Sequence, residues 1–356
     1  MPDDRSWLTD EYPELRDGPP WVMEEMIMAE RDLPQPILEG TSAEAAAVRS
    51  AVDAAAAAGE PVVVTGCGTS EHAAMAVAEM LSDALPDARI ESRQALAAAL
   101  RPRSGGVCIA VSHDGGTPAT CRALEAAAGA GATTAAITAH AGSAITRPAQ
   151  IILMTPLLDR SWCHTVAYAS AILAGAAIAG EGVLDALSAS IESAYAIRPR
   201  LVVEAQRVGT GRRVVTTGFG ADYVSARELA LKIEEGARIP ATAHQLETIL
   251  HGHLAGCDAE TTAVVRFDLD PRGGEATADR GRDVDAALEI IGIPTVILGR
   301  PTGLPPAASA AQALLAGAVT LQLLTLELAH LAGTNPDLIR REERRYREAA
   351  NAAEHA

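Results

Sequence analysis

The chain has 356 residues, a formal net charge of −17 and only 3% aromatic residues. This length is enough for two domains of ordinary size, each with its own core. The shortage of aromatic residues suits an α/β protein packed from alanine, glycine and valine. The negative charge argues against nucleic acid and anionic membranes as partners, although a local group of backbone N–H groups can still bind an anion.

The N-terminal residues and the five cysteines favour an intracellular protein. The charged start, Met1 to Arg5, lacks the apolar core of a secretory signal. No uninterrupted apolar run reaches membrane-spanning length. Five cysteines without CxxC spacing fit a reducing compartment better than disulfides or zinc. We therefore expect a soluble, cytoplasmic protein.

The first half of the chain predicts a helical segment followed by alternating strands and helices. Residues 1–45 are rich in proline and acidic groups, with a helix predicted over Pro20–Arg31 that Pro34 and Pro36 end. Predicted strands follow at Pro61–Thr65, Val107–Val111, Thr133–Thr138 and Gln150–Thr155. Predicted helices are Glu71–Leu81, one that starts near Pro118, Trp162–Ala179 and Leu184–Gly209.

The pattern then restarts. Arg213–Gly220 resembles Val62–Gly68 in sequence, with the glycines of the two copies 152 positions apart. Further predicted elements are strands at Thr261–Leu269 and Ile293–Leu298, a helix over Ala307–Leu331 and a tail helix from Glu342 to Arg347. Two α/β units in tandem are the natural interpretation.

Lys232 is the only lysine of the chain; all other basic side chains are arginines. Because arginine cannot lose its proton and is a poor compact charge, a position that remains lysine indicates a need for an ammonium group. Glu228, Lys232 and Glu235 have i, i+4 and i+7 spacing and share one helix face. A solvated ion-pair stripe would give the same pattern.

Two loops after predicted strands are candidate ligand sites. In parallel sheets, ligands lie beyond the carboxyl ends of strands, where loops lead into helix N-termini. Residues 66–70 and 112–117 are such loops, with small residues, hydroxyls and N–H groups that suit an anion. The first lacks the third glycine of GxGxxG and the lysine of a phosphate-binding P-loop. Ser70, Ser112 and Thr117 would also serve as ordinary helix caps.

With these features in order, the chain resembles the sugar isomerase (SIS) family, in particular the tandem isomerase half of glucosamine-6-phosphate synthase. The resemblance rests on five segments in family order: Cys67–Ser70, Ser112–Thr117, Glu228–Glu235, Glu247–Gly252 and Asn335–Asp337. It implies an α/β fold of two tandem SIS domains, each a mostly parallel five-stranded sheet flanked by helices in a flavodoxin-like three-layer sandwich. The implied division is 1–45 helical segment, 46–195 first domain, 196–333 second domain and 334–356 tail helix.

The resemblance also implies roles for individual residues. Glu235 corresponds to the base that moves a proton between C1 and C2, Lys232 to an active-site lysine, and His251 to the ring-opening residue supplied by the neighbouring subunit of a homodimer. The implied substrate-binding positions are Cys67, Gly68, Thr69, Ser70, Ser112, His113, Asp114, Thr117, Thr165 and Glu247.

Aldose–ketose interconversion makes chemical sense of these groups. A carboxylate takes a proton from the carbon next to a carbonyl, an imidazole moves protons on oxygen, and a fixed cation stabilises the enediolate. This chemistry requires no metal or cofactor, and His244, His251, His253 and Glu247 make only a loose set of metal ligands.

Three departures from the synthase limit the resemblance. First, none of the 356 residues resembles the synthase's glutaminase domain, so we expect no glutaminase activity. Arg344 stands where the synthase has its Schiff-base lysine, and arginine cannot form that imine. Asp114 replaces a serine of the second loop, where it would repel a phosphate about 4 Å away by roughly 1–4 kcal/mol, unless protonated His113 or an arginine offset it. Asp114 could instead accept hydrogen bonds from an unphosphorylated sugar.

Three functions are therefore compatible with the sequence. The first is a cytoplasmic sugar or sugar-phosphate isomerase that works through an enediol. The second is an amino-sugar deaminase or a fructosamine deglycase that uses the same Glu235 and His251. The third is a non-catalytic sugar sensor, which could dispense with the base. Each implies a small-molecule sugar partner, without nucleic acid or membrane.

Overall fold

The computed structural model describes Arg16 and residues 18–354. The described chain starts with helices α1 (Val22–Ala29), α2 (Pro34–Gly40) and α3 (Ser42–Ala57). The helix predicted over Pro20–Arg31 is present as α1 and a 3₁₀ turn at Glu30–Asp32, and Pro34, which was expected to end it, is also the first residue of α2. The missing N–H of proline is harmless in the first turn of a helix, where that group has no intrahelical partner.

The first sheet contains five parallel strands in the order β2-β1-β3-β4-β5. Its strands are β1 (Pro61–Gly66), β2 (Arg89–Gln94), β3 (Val107–Val111), β4 (Thr133–Thr138) and β5 (Ile151–Met154). Its helices are α4 (Thr69–Ala84), α5 (Ala95–Leu100), α6 (Pro118–Gly129) and α7 (Val166–Ala179). β1 and β3 are central and buried, which explains their continuous apolar sequence.

The second sheet contains four parallel strands in the order β7-β6-β8-β9. Helices α8 (Leu184–Ala196) and α9 (Arg198–Val208) precede strands β6 (Arg213–Gly218), β7 (Ala241–Gln245), β8 (Thr262–Asp268) and β9 (Thr295–Gly299). Its other helices are α10 (Ala221–Lys232), α11 (Gly274–Ile291), α12 (Ala310–Ala332) and α13 (Arg344–Glu354). The expectation of five strands in this sheet is wrong, because a 3₁₀ turn at Arg300–Thr302 follows β9 and leads to α12.

The strand-to-helix turns of the two sheets have the same geometry. Gly68 and Gly220 precede α4 and α10 with φ values of 58° and 55°, a region that favours glycine. Gly66 and Gly218 end β1 and β6, where a Cβ atom would lie 2.3 Å from Ser70 O and 2.5 Å from Asp222 C, respectively. The sequence repeat is therefore a repeat of one local structure.

Helix α12 forms the centre of the core. It contacts α10, α8, α9 and α7, and a single cluster of buried apolar residues includes side chains from both halves of the chain. The two units therefore share a core, in contrast to the expectation of separate ones. Helix α12 is long and apolar enough to cross a membrane, but 83% of its most apolar window is buried within the protein. Burial against other helices is the ordinary reason for an apolar helix in a folded core.

Candidate functional site

A buried ion network forms where α4 and α10 meet. Lys232 is fully buried at the end of α10, and a π-helical turn, Ile233–Ala237, follows it directly. Lys232 Nζ lies 2.6 Å from Glu235 Oε2 and 3.4 Å from Glu228 Oε1, and it donates a 2.9 Å hydrogen bond to the Thr69 hydroxyl. The predicted common face of Glu228, Lys232 and Glu235 is present, but the solvated stripe is not.

Glu228 is the fixed anion of this network. It is fully buried, accepts a hydrogen bond from the Thr69 hydroxyl at 3.1 Å, and lies 2.7 Å from His72 Nδ1. Burial alone would raise the pKa of Glu228, but Lys232 and His72 outweigh it and lower that pKa. Glu235, by contrast, is 21% exposed. Of the two carboxylates that bind Lys232, only Glu235 has a surface that a ligand can reach.

The charge of Lys232 is held firmly. Burial alone would lower the pKa of this lysine, but the nearby carboxylates of Glu235 and Glu228 raise it well above its ordinary value. The ammonium group therefore stays protonated throughout the physiological pH range. It can stabilise negative charge that develops beside Glu235, but it cannot act as a base or as a nucleophile.

The loop after β1 carries the first group of predicted substrate-binding residues. Thr69 is buried, and its hydroxyl is already engaged by Lys232 and Glu228. Cys67 and Ser70 are half-buried and Gly68 is exposed. Cys67 Sγ accepts long hydrogen bonds from Gln94 and Thr120. The exposed rim of this loop therefore consists of Cys67, Gly68 and Ser70.

The loop after β3 carries its own anion. Asp114 is exposed, and its Oδ1 accepts hydrogen bonds from the Gly116 N–H at 3.1 Å and from the Ser112 hydroxyl at 3.4 Å. Thr117, half-buried, precedes α6. Two donors that a phosphate would require at this loop are thus occupied by a carboxylate.

His113 cannot offset the charge of Asp114, contrary to the sequence-based suggestion. Burial lowers the pKa of His113 to about 4. Its Nε2 accepts a 2.8 Å hydrogen bond from the backbone N–H of Asp159, and an accepting nitrogen carries no proton. His113 is therefore neutral and holds the neighbouring loop in place.

A third loop, between β5 and α7, completes the cluster. The buried carboxylate of Asp159 accepts hydrogen bonds from Ser161 N at 3.1 Å and Thr165 N at 2.6 Å, and it lies 3.8 Å from His164 Nδ1. Thr165 is fully buried, and within residues 18–354 its hydroxyl has no hydrogen-bond partner. Helix α7 starts only at Val166, so the predicted helix from Trp162 begins four residues too early.

Asp337, in the Asn335–Asp337 segment, anchors this third loop. Its carboxylate accepts hydrogen bonds from Val22 N at 2.8 Å and Met23 N at 2.7 Å, and from the Ser161 hydroxyl at 3.1 Å. Its backbone carbonyl accepts the N–H of Trp162 at 2.9 Å. The segment thus joins the start of α1 to the loop that carries His164.

Glu247 and His251 lie apart from this cluster within one chain. Their side chains are 60% and 67% exposed, and Glu247 Oε1 lies 2.6 Å from His251 Nε2. Glu247 also forms a two-pronged ion pair with Arg280, at 2.6 Å for each bond. In the described part of the chain, no hydrogen bond or ion pair joins His251 to Lys232 or Glu235. His251 is thus available at the surface.

His244 and His253 stack on each other, with ring centroids 3.7 Å apart. Among residues 18–354, no group of three or more histidine, cysteine, aspartate or glutamate side chains is arranged to hold a metal ion.

The equivalent turn of the second unit is filled by the protein itself. Asp270 Oδ2 accepts the N–H of Ala221 at 2.9 Å at the start of α10. Arg272 lies 2.5 Å from Asp270 Oδ2 and 3.4 Å from Glu79 of the first unit. A ligand cannot occupy this helix start without displacing Asp270. The open loops are therefore those of the first sheet.

Sequence reasoning missed four members of the cluster: Glu228 as its buried anion, His72, Asp159 and His164. His72 has a recognisable position, one helical turn after Thr69. Asp159 and His164 follow the weakly patterned strand β5, and only the tertiary fold brings them to Lys232.

The fold and this cluster of strand-end loops define the class. Residues 58–178 match the family model described as the SIS domain, so this part of the chain is an SIS domain. A comparison with curated protein sequences finds no match.

Solved structures extend the likeness in fold beyond that domain. The C-terminal domain of glucosamine-fructose-6-phosphate aminotransferase from Francisella tularensis matches with a TM-score of 0.76 and 18% identity, over 91% of this chain and 99% of that one. Tagatose-6-phosphate ketose/aldose isomerase from Escherichia coli matches with a TM-score of 0.76 and 19% identity, over 89% and 95%. Glucosamine-6-phosphate deaminase from Thermotoga maritima matches with a TM-score of 0.72 and 18% identity, over 89% and 97%. At these identities the likeness is one of fold.

Proposed function

We propose that this protein is a soluble, cytoplasmic sugar isomerase that moves a proton between neighbouring carbons through an enediol. The observation that carries the proposal is the contact of Lys232 with Glu235, 2.6 Å apart, where Lys232 also hydrogen-bonds to Thr69 of the SIS domain. One carboxylate that a ligand can reach, beside one ammonium that stays charged, suits removal of a proton next to a carbonyl. The isomerase and deaminase folds among the structural matches support this reading.

In this mechanism Glu235 is the base and Lys232 stabilises the enediolate. Glu228 fixes the position of Lys232 and, with His72, balances the charge of the network. The rim residues Cys67 and Ser70 and the loop of Ser112–Thr117 bind the sugar. The second α/β unit, over residues 196–333, is proposed to be a second SIS domain, because its strand-to-helix turn repeats that of the first.

The substrate group at the Ser112–Thr117 loop is proposed to be unphosphorylated. Asp114 already takes the Gly116 N–H and the Ser112 hydroxyl, and neutral His113 cannot compensate its charge. A phosphate about 4 Å from this carboxylate would meet a repulsion of roughly 1–4 kcal/mol. A sugar hydroxyl, by contrast, can donate a hydrogen bond to Asp114.

A second candidate is the release of an amine from an amino sugar or fructosamine. Asp114 is exposed, and among the described residues no basic side chain forms an ion pair with it. A carboxylate in this state attracts a substrate ammonium group. The same Glu235 would then serve a deaminase or a deglycase.

The active site is proposed to be shared between the subunits of a homodimer. His251 is 67% exposed and forms no hydrogen bond or ion pair with Glu235 in the described part of its own chain. A partner subunit that supplies His251 would place an imidazole for ring opening beside Glu235. This arrangement explains why the two predicted catalytic groups lie on separate surfaces.

A substrate screen tests the proposed reaction. The protein is incubated in deuterated water with hexoses, hexose 6-phosphates, amino sugars and fructosamines, with and without a 6-phosphate, and the products are read by NMR. An isomerase incorporates deuterium at C1 or C2 and produces the other sugar, whereas a deaminase or deglycase also releases the amine. Binding without either change would identify a sensor and refute the enzymatic proposal.

Subunit mixing tests the shared site. Glu235→Gln and His251→Ala proteins are each expected to be inactive. Mixed under conditions that exchange subunits, they should regain activity, because some dimers contain one site with both wild-type residues. A mixture that stays inactive while mass spectrometry shows mixed dimers contradicts the shared site.

A further inference from the structure

The imidazole of His164 lies within range of the charges of Glu235 and Lys232 of the same chain. His164 belongs to the loop between β5 and α7, next to Cys163. Cys163 Sγ lies 3.5 Å from the position that a Cβ atom of Gly236 would occupy, so this loop touches the π-helical turn that carries Glu235. His164 is also close enough for its charge to interact with both Lys232 and Glu235.

The two ring nitrogens of His164 have different surroundings. Nδ1 is buried and lies 3.8 Å from the fully buried carboxylate of Asp159. The side chain as a whole is 34% exposed. Nε2 is not buried, and among the described residues nothing forms a hydrogen bond with it. Nδ1 therefore faces a carboxylate while Nε2 is free to contact a ligand, an arrangement suited to proton transfer.

The surroundings of His164 are held rigidly. Asp159 accepts the N–H groups of Ser161 and Thr165, at 3.1 Å and 2.6 Å. Gln322 of α12 donates a 3.3 Å hydrogen bond to the Thr165 carbonyl. His113 packs edge-on against the His164 ring, with the ring centroids 6.0 Å apart. These contacts limit the movement of the loop that carries His164.

We propose that His164 is a catalytic residue that moves protons on the substrate oxygens while Glu235 of the same chain moves them on carbon. This inference rests on the proposed isomerase function. It assigns to each chain its own acid–base pair and leaves ring opening to His251 of the partner subunit.

The proton transfers balance for a ketose. Glu235 takes a proton from C1, the C–H electron pair forms the C1=C2 bond, and the C2=O π pair moves to O2, which takes the Nε2 proton of the His164 imidazolium. Neutral His164 then takes the proton of O1, whose electron pair forms C1=O1. The C1=C2 pair takes the proton of Glu235 at C2. An aldose results, and both side chains return to their starting states.

The charge on His164 suits this role. Burial alone would lower the pKa of His164, but the Asp159 carboxylate outweighs it and raises that pKa above its ordinary value of 6.5. The other titratable groups that face the ring are His113, which is neutral, Lys232, which opposes the imidazolium, and Glu235, which favours it. The acid form is thus present at neutral pH and is lost as the pH rises through the raised pKa.

The variant His164→Gln tests the assignment. We expect kcat to fall by about 10²–10⁴-fold with little change in KM, and the decline of the wild-type rate at high pH to disappear. In His164→Ala, added imidazole should restore part of the rate. The matched control is His330→Gln, because His330 is similarly exposed, at 29%, and has a carboxylate partner, Glu327, at 3.4 Å. Its rate and pH profile should remain those of the wild type.

A purely structural role would lower the stability of His164→Gln but leave the decline of the rate at high pH in place and give no rescue by imidazole; that result overturns the assignment.

A second readout does not depend on turnover. In Glu235→Gln, saturating D-fructose or D-fructose 6-phosphate should shift the His164 ring resonances in the NMR spectrum. A wild type that converts no sugar refutes the proposed function, whereas unshifted His164 resonances refute the role of His164.

Discussion

Replacement of Lys232 by methionine removes the ammonium group of the buried network while it nearly preserves the side-chain volume. Glu228, fully buried, then loses its ammonium partner at 3.4 Å and keeps only His72 and Thr69. Breaking a buried ion pair on one side costs about 3–5 kcal/mol. The two remaining partners of Glu228 place the expected loss at the lower end, so we expect the free energy of unfolding to fall by about 3 kcal/mol.

Two matched variants sharpen this test by chemical denaturation. In the double variant Lys232→Met/Glu228→Gln no unpaired charge remains buried, so it should recover part of the loss. In Arg282→Met, an exposed ion pair with Asp279 on α11 is removed, and the cost should be within about 1 kcal/mol. If Lys232→Met costs no more than Arg282→Met, or if the double variant is the least stable, Lys232 is not the buried partner of Glu228.

Three further changes have defined outcomes. Asp114→Ser should raise the affinity for hexose 6-phosphates relative to free hexoses in calorimetry, because it frees the loop donors; a fall in that ratio would reverse our view of the substrate. Burial raises the pKa of Asp222 from 3.8 to about 7. Between about pH 4 and 7 the folded protein therefore keeps a proton on Asp222 that the unfolded chain has lost, and the free energy of unfolding of the wild type should decline across that range. Asp222→Asn should lack that decline, and equal slopes would contradict the assignment. Asp337→Ala should lower the free energy of unfolding by about 2–3 kcal/mol, because charged hydrogen bonds to Val22 and Met23 are lost; a loss below about 1 kcal/mol would refute the anchoring role.

Local patterns predicted the buried strands of both sheets, but they missed the partly exposed edge strands β2 and β7, whose sequences lack a continuous apolar run. The valine run of β1 and the glycines of its turn can be recognised from a few neighbouring residues. The same pattern recurs at β6, where the turn has the same geometry. The missing fifth strand of the second sheet could not be predicted in this way. Whether the chain after β9 pairs with that strand or turns into α12 depends on the space beside the shared core, which no single segment encodes.

The site was also predictable only in its local features. Helical spacing brought Glu228, Lys232 and Glu235 to one face, and the structure joins them. The spacing could not reveal that Lys232 is fully buried, because its partner Thr69, at the start of α4, lies 163 residues earlier in the chain. The neutrality of His113 has the same origin, since it depends on a contact with Asp159 across two loops.

Hydrogen exchange at the substrate carbons tests the central claim most directly. Glu235 and its neighbour Glu234 form a matched pair of carboxylates. Glu235 contacts Lys232, whereas Glu234 is exposed and accepts a hydrogen bond from Ala241 N at 3.3 Å. With a sugar that the wild type converts in deuterated water, Glu235→Gln should bind the sugar but incorporate no deuterium at C1 or C2, while Glu234→Gln should match the wild type. Deuterium incorporation at the wild-type rate in Glu235→Gln would contradict the account.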